Sequence, residues 1–149
     1  MSNLRQPSTG QDYPEAAVKH CDDARHLLSG NHADGAAYLA GYAVECALKT
    51  LIQVETATVA PVGQWKHRLN DLSIEALRLA ALPTNKTARY LSNPALTTLR
   101  YGPPPTGWKE DLRYYPAGTV SRPTAEQWVD EADRLYIEII GELKKDGEI

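Results

Sequence analysis

The chain has 149 residues, a hydrophobic fraction of 42%, a charged fraction of 23% and a formal net charge of −3 at pH 7. That is enough chain to bury a core in one domain. No run approaches the ~18 apolar residues of a membrane span and the N-terminus lacks a signal-peptide pattern, so the expectation is a cytoplasmic protein without membrane contact, and the acidic balance argues against a general nucleic-acid binder.

Residues 1–11 are polar, contain Pro7 and Gly10, and read as a flexible arm ahead of a single helical domain over residues 12–149. Asp12 with Glu15 three residues later forms a capping-box pattern, with Pro14 in the first turn. The helix runs to about Leu28 on an apolar face of Ala17, Cys21, Ala24 and Leu28, and Ser29-Gly30-Asn31 ends it. The stretch from Ala33 to Glu55, ADGAAYLAGYAVECALKTLIQVE, is apolar around most of a helix, which marks it as the central element. The short connection makes these two helices an antiparallel hairpin. Cys21 and Cys46 lack metal-ligand spacing and read as buried reduced thiols.

Residues 58–65 contain Pro61 and Gly63 and read as a loop. A third helix starts near Asn70 or Asp71 and runs to Leu82, where Pro83 stops it. Thr84 is placed to cap a short helical piece through Tyr90 and Leu91, broken by Asn93-Pro94. Residues 102–122 hold four prolines and three glycines and predict a long irregular, Pro-rich loop, a class that is functional or disordered. Thr124 with Gln127 forms another capping box, and the last helix turns Trp128, Ala132, Leu135, Tyr136, Ile139 and Leu143 inward. There is no strand alternation and no repeat. The expected fold is all-α: an up-down antiparallel helical bundle of four main helices plus a short one.

One stripe interrupts the apolar surface of the central helix. At 100° per residue, Tyr38, Tyr42, Glu45, Lys49 and Gln53 fall in one narrow sector. Two readings stand. Glu45 and Lys49 form an ion pair on an exposed edge, worth ~0.3–0.5 kcal/mol, with the tyrosines shielding that edge. Or Tyr38, Tyr42, Glu45 and Lys49 line a groove or a dimer interface.

The segment AYLAGYAVECALKTLI, preceded by ARHLL and followed by KHRLNDL, resembles the HEPN family of small helical-bundle domains, known from prokaryotes and higher eukaryotes. Ala43, Val44, Glu45, Leu48, Lys49 and Leu51 match the family's Glu-x-x-x-Lys helix, and His67, Asp71 and Leu72 the segment that follows it. The likeness covers residues 15–80, and the C-terminal part by architecture alone. It implies a helical bundle that is often a homodimer. It also implies a role in toxin–antitoxin, defence or RNA-processing systems, frequently beside a nucleotidyltransferase-type partner. Active members are metal-independent ribonucleases whose Arg and His, four to six residues apart, lie late in the domain.

That chemistry needs a histidine that moves a proton near neutral pH and an arginine that holds the phosphate. The four histidines are His20, His26, His32 and His67, so none falls in the family's catalytic place. Arg25 and His32 have the right separation but straddle the turn after the first helix, and read as surface residues at a helix end. His67, between Lys66 and Arg68, is the one weak catalytic candidate; its structural alternative is packing on Trp65. No cofactor and no metal site are expected.

The charge is unevenly spread. Residues 84–122 hold six basic residues against two acidic, while residues 123–149 hold three against eight. Arg89-Tyr90, Arg100-Tyr101 and Arg113-Tyr114 repeat one dipeptide, with Trp108 and Lys109 interleaved. Arginine grips phosphate in a fork and aromatic rings stack on unpaired bases. Arg89, Arg100, Tyr101, Trp108, Arg113 and Tyr114 are therefore the candidate ligand-binding set, for RNA, a nucleotide or a partner protein. The structural alternative has the rings pinning the loop to the bundle and the arginines pairing with the acidic final helix. The leading expectation is a HEPN-like binding module without the usual nuclease motif. The alternatives are a ribonuclease with non-standard catalytic residues and a purely structural accessory or antitoxin.

Overall fold

The computed structural model describes residues 1–57, 65–91, 99 and 107–149. Helix α1 spans Tyr13–Ser29, α2 Ala33–Thr56, α3 Leu69–Ala80 and α4 Arg122–Leu135. Short 3-10 turns cover Lys86–Arg89 and Glu110–Tyr114. Past Leu135 the chain continues as a π-helical stretch, Tyr136–Gly141, and a last α turn, Glu142–Lys145. The fold is all-α, with no strand among the described residues. The expected break at Asn93-Pro94, the Pro61 and Gly63 loop, and residues 102–106 at the start of the Pro-rich run lie outside the described residues, as do Arg100 and Tyr101.

Helix α2 is the centre, packed most extensively against α1, then α4 and α3. Its apolar positions Val44, Leu48, Leu51 and Ile52 are buried. They meet Ala17, Cys21 and Ala24 of α1, Leu72 and Ala76 of α3, and Trp128, Ala132 and Leu135 of α4 in one continuous core. Small side chains at Ala36, Ala37, Ala40, Ala43 and Ala47 let the neighbouring helices come close. Cys21 and Cys46 are free and buried, and burial pushes both thiols up to about 12.

The helix ends follow from local chemistry. Asp12 caps α1 by accepting from the Glu15 amide at 3.3 Å. At the other end the left-handed residue is Asn31, at φ 63°, and not Gly30; asparagine tolerates that conformation through its short polar side chain. The expected cap of the last helix needs correction. Ser121, not Thr124, caps α4, its Oγ accepting from the Thr124 amide at 3.3 Å. Pro123 then sits inside the first turn, where its missing N–H leaves nothing unpaired. Thr84 does not cap the short piece either; the turn opens after Asn85.

The N-terminal arm is tied down in this structure. Ser2 donates from its amide and its hydroxyl to the Asp12 carboxylate at 2.9 and 2.8 Å. Gln6 is buried, and the Leu4 carbonyl accepts from Gln53 at 3.1 Å. No helix among the described residues is long and apolar enough to cross a membrane.

Candidate functional site

The polar stripe of α2 is not an edge exposed to water. Glu45 is 2% exposed and Lys49 is 6% exposed, which corrects the reading of an exposed ion pair. Four separate parts of the chain cover the stripe residues. Trp108 lies on Tyr38 and Tyr42, with ring centroids 6.4 and 5.0 Å apart. His67 covers Glu45, the Tyr13 ring covers Lys49 at 5.3 Å, and the arm covers Gln53 through Leu4.

At the centre of the stripe the Lys49 ammonium donates to Glu45 Oε1 at 2.6 Å. His67 Nδ1 stands 3.2 and 3.1 Å from the two carboxylate oxygens. A carboxylate only accepts, so Nδ1 carries the proton and the imidazole is held in one orientation. The turn that delivers His67 contains Lys66 at φ 48°, a left-handed conformation that a lysine adopts only under constraint. The His67 side chain is 45% exposed, so its ring joins the buried pair to the surface. His67 touches Tyr42 edge-on at 5.4 Å, and it is Arg68 that stands over Trp65, at 5.9 Å.

Tyr42 is the hub of an aromatic cluster. Its hydroxyl and that of Tyr38 are 3.1 Å apart, and its ring meets those of Tyr38, Trp108, His67 and His20. Burial, with the Tyr38 hydroxyl and the Glu45 charge adding to it, drives the Tyr42 phenol well above its ordinary range. His20 has a buried Nδ1 with no hydrogen-bond partner, and burial lowers its pKa, with Lys19 acting in the same direction and Asp23 against it.

Trp108 fixes the 3-10 segment to α2. Its indole N–H donates to the Tyr38 carbonyl at 2.9 Å, and its ring fills the space above Gly41, where a Cβ would lie 2.0 to 2.2 Å from three indole atoms. The segment then carries Arg113 and Tyr114 back toward Tyr38. The Arg113 guanidinium lies 4.9 Å from the Tyr114 ring centroid, and Tyr114, then Tyr38, raise its already high pKa. Tyr114 is 77% exposed.

The candidate binding residues therefore separate. Arg89 faces Asp146 at 3.3 Å, beside a Tyr90 hydroxyl that donates to the same residue at 2.6 Å; this matches the structural alternative, pairing with the acidic C-terminal end. Trp108 is buried and presents no stacking face to solvent. Arg25 is held by Asp133 and Asp22, each at 2.7 Å, so it is a surface ion-pair residue at the end of α1. Among the described residues Arg113 has no carboxylate within 4 Å, in contrast to Arg78, Arg89 and Arg122, each paired with one, and Arg25, paired with two. Arg113, Tyr114, Tyr38, Tyr42 and His67 thus form one continuous face. No family model, no curated protein and no solved structure matches this chain.

The sequence pattern missed Gly41 and His20. Gly41 is one small residue among several on α2, and only the position of Trp108, 67 residues later, gives it meaning.

Proposed function

We propose that the chain is a HEPN-like helical domain that binds single-stranded RNA through the face of Arg113, Tyr114, Tyr38, Tyr42 and His67. Support comes first from Arg113. An arginine without an acidic neighbour, flanked by phenol rings, is equipped to hold a phosphate in its fork while a base stacks on Tyr114. The resemblance of residues 15–80 to HEPN domains adds the biological setting of this reading: a prokaryotic toxin–antitoxin, defence or RNA-processing system, acting as a homodimer or with a nucleotidyltransferase-type partner.

The test is fluorescence anisotropy with a labelled 12-nucleotide single-stranded RNA, titrated at several salt concentrations. Arg113→Ala should weaken binding about tenfold, the scale of one hydrogen-bonded charged contact, and reduce the salt slope by about 0.7. Arg89→Ala, whose guanidinium is already paired with Asp146, should leave affinity within about twofold. Equal losses in the two variants would remove the support that Arg113 gives.

A second reading rests on a different observation. His67 Nδ1 against a buried carboxylate is the arrangement that orients an imidazole and leaves Nε2 available for proton transfer. That favours a ribonuclease with non-standard catalytic residues. Cleavage of mixed RNA in the presence of EDTA, abolished in His67→Ala, would support this alternative over simple binding.

A further inference from the structure

We propose that Gly41 and Trp108 form a latch that positions Arg113, so that ligand affinity at the Arg113 face is set from the middle of α2 by two residues that do not touch the ligand. This rests on the reading of Arg113 as the phosphate-holding residue.

Three observations carry it. Gly41 stands in the interior of a 24-residue helix, where glycine is destabilising relative to alanine. Its φ is helical, so the reason for glycine is space and not conformation. That space is filled by the indole of Trp108, with Nε1, Cε2 and Cδ1 at 2.0, 2.1 and 2.2 Å from where a Cβ would be. These atoms belong to a rigid bicycle held between the Tyr38 and Tyr42 rings and hydrogen-bonded to the Tyr38 carbonyl, so a methyl group at position 41 must eject the ring. Lastly, Trp108 stands two residues before the 3-10 segment that carries Arg113. Leu112 is the buried apolar residue within that segment, and one leucine is a weak anchor for five residues. Without the indole in its notch, the Arg113 guanidinium loses its register against Tyr38.

The glycine and the tryptophan are thus two halves of one contact. Gly41→Ala and Trp108→Ala should have the same consequence, and the double variant should add nothing to either. The first readout needs no RNA. In the free protein, the Arg113 Nε–H and Trp108 indole N–H resonances are followed by NMR, the latter assigned among the three tryptophans by its loss in Trp108→Ala. Both variants should displace the Arg113 signal while keeping wild-type helicity by circular dichroism. In the anisotropy titration each should bind RNA about tenfold more weakly, the loss predicted for Arg113→Ala.

An unmoved Arg113 resonance in a folded Trp108→Ala protein would overturn the latch. So would wild-type affinity in a Gly41→Ala protein whose Arg113 signal has moved. If Gly41→Ala does not fold, Trp108→Ala, which leaves the backbone of α2 untouched, decides alone. If wild-type protein does not bind RNA but the Arg113 signal moves in both variants, the RNA reading falls and the latch stands.

Discussion

Glu45 and Lys49 sit on the central helix with almost no contact with water, and each is held by the other. A buried pair of this kind contributes little net stability, because desolvation offsets the attraction, but breaking it strands a charge. Lys49→Met should therefore cost about 3 kcal/mol in equilibrium urea unfolding. Glu45→Met with Lys49→Met should cost less than the single change, since both charges leave together; a larger loss in the double variant would show that the stranded charge is not the cause. His20 gives a pH dependence. Its folded pKa is depressed below the ordinary 6.5, so the unfolded chain binds more protons just below that value. The stability it contributes is complete above about pH 6.5 and is lost as pH falls through the folded pKa. The melting temperature of wild type should fall more between pH 7 and pH 5 than that of His20→Gln. The i,i+4 spacing of Glu45 and Lys49 was legible in the sequence. Their burial was not, because the residues that cover them, Tyr13 and His67, lie far away along the chain, one at the first residue of α1 and the other in a turn.

At the scale of elements, the end of the last helix is the instructive case. Leu135, Ile139, Ile140 and Leu143 are all buried, while Ile137 is 58% exposed. In a regular α-helix Leu135, Ile139 and Leu143, at steps of four and eight residues, share a face, but a step of five turns Ile140 away from Leu135 to the far edge of it. The wider π turn over Tyr136–Gly141 absorbs one extra residue and brings Ile140 inward. Deleting Ile137 should restore i, i+3, i+4, i+7 spacing to the same four side chains. That variant should keep cooperative thermal unfolding, whereas deleting the exposed Asp130, upstream in α4, should rotate everything after it and abolish the transition. Helices α1 to α3 were legible within one or two residues at most ends, since capping residues and apolar periodicity agreed there. The start of α4 was misread because Thr124 and Gln127 imitate a capping box, and the π turn was invisible because its apolar spacing resembles an ordinary helix with a stray isoleucine.

Across the whole molecule, the two ends of the chain meet. Asn3 donates to the Glu148 carbonyl at 3.3 Å, Lys86 pairs with Glu148 at 3.0 Å, and Asp146 receives both Arg89 and Tyr90. The segregation of basic residues into the middle of the sequence and acidic ones into its end is thereby partly cancelled in space. The charge pattern was legible, but which arginine would be left over was not: Arg89 and Arg113 stand in the same Arg-Tyr dipeptide, and only the fold gives one of them an acid.

The two cysteines lead to a practical consequence. With both thiols enclosed in the core and held protonated by burial to about 12, neither offers a thiolate to an alkylating dye while the protein is folded. A single new thiol introduced by Tyr114→Cys would be the one site a maleimide reaches, so the wild-type background needs no cysteine removal before a reporter is attached beside Arg113.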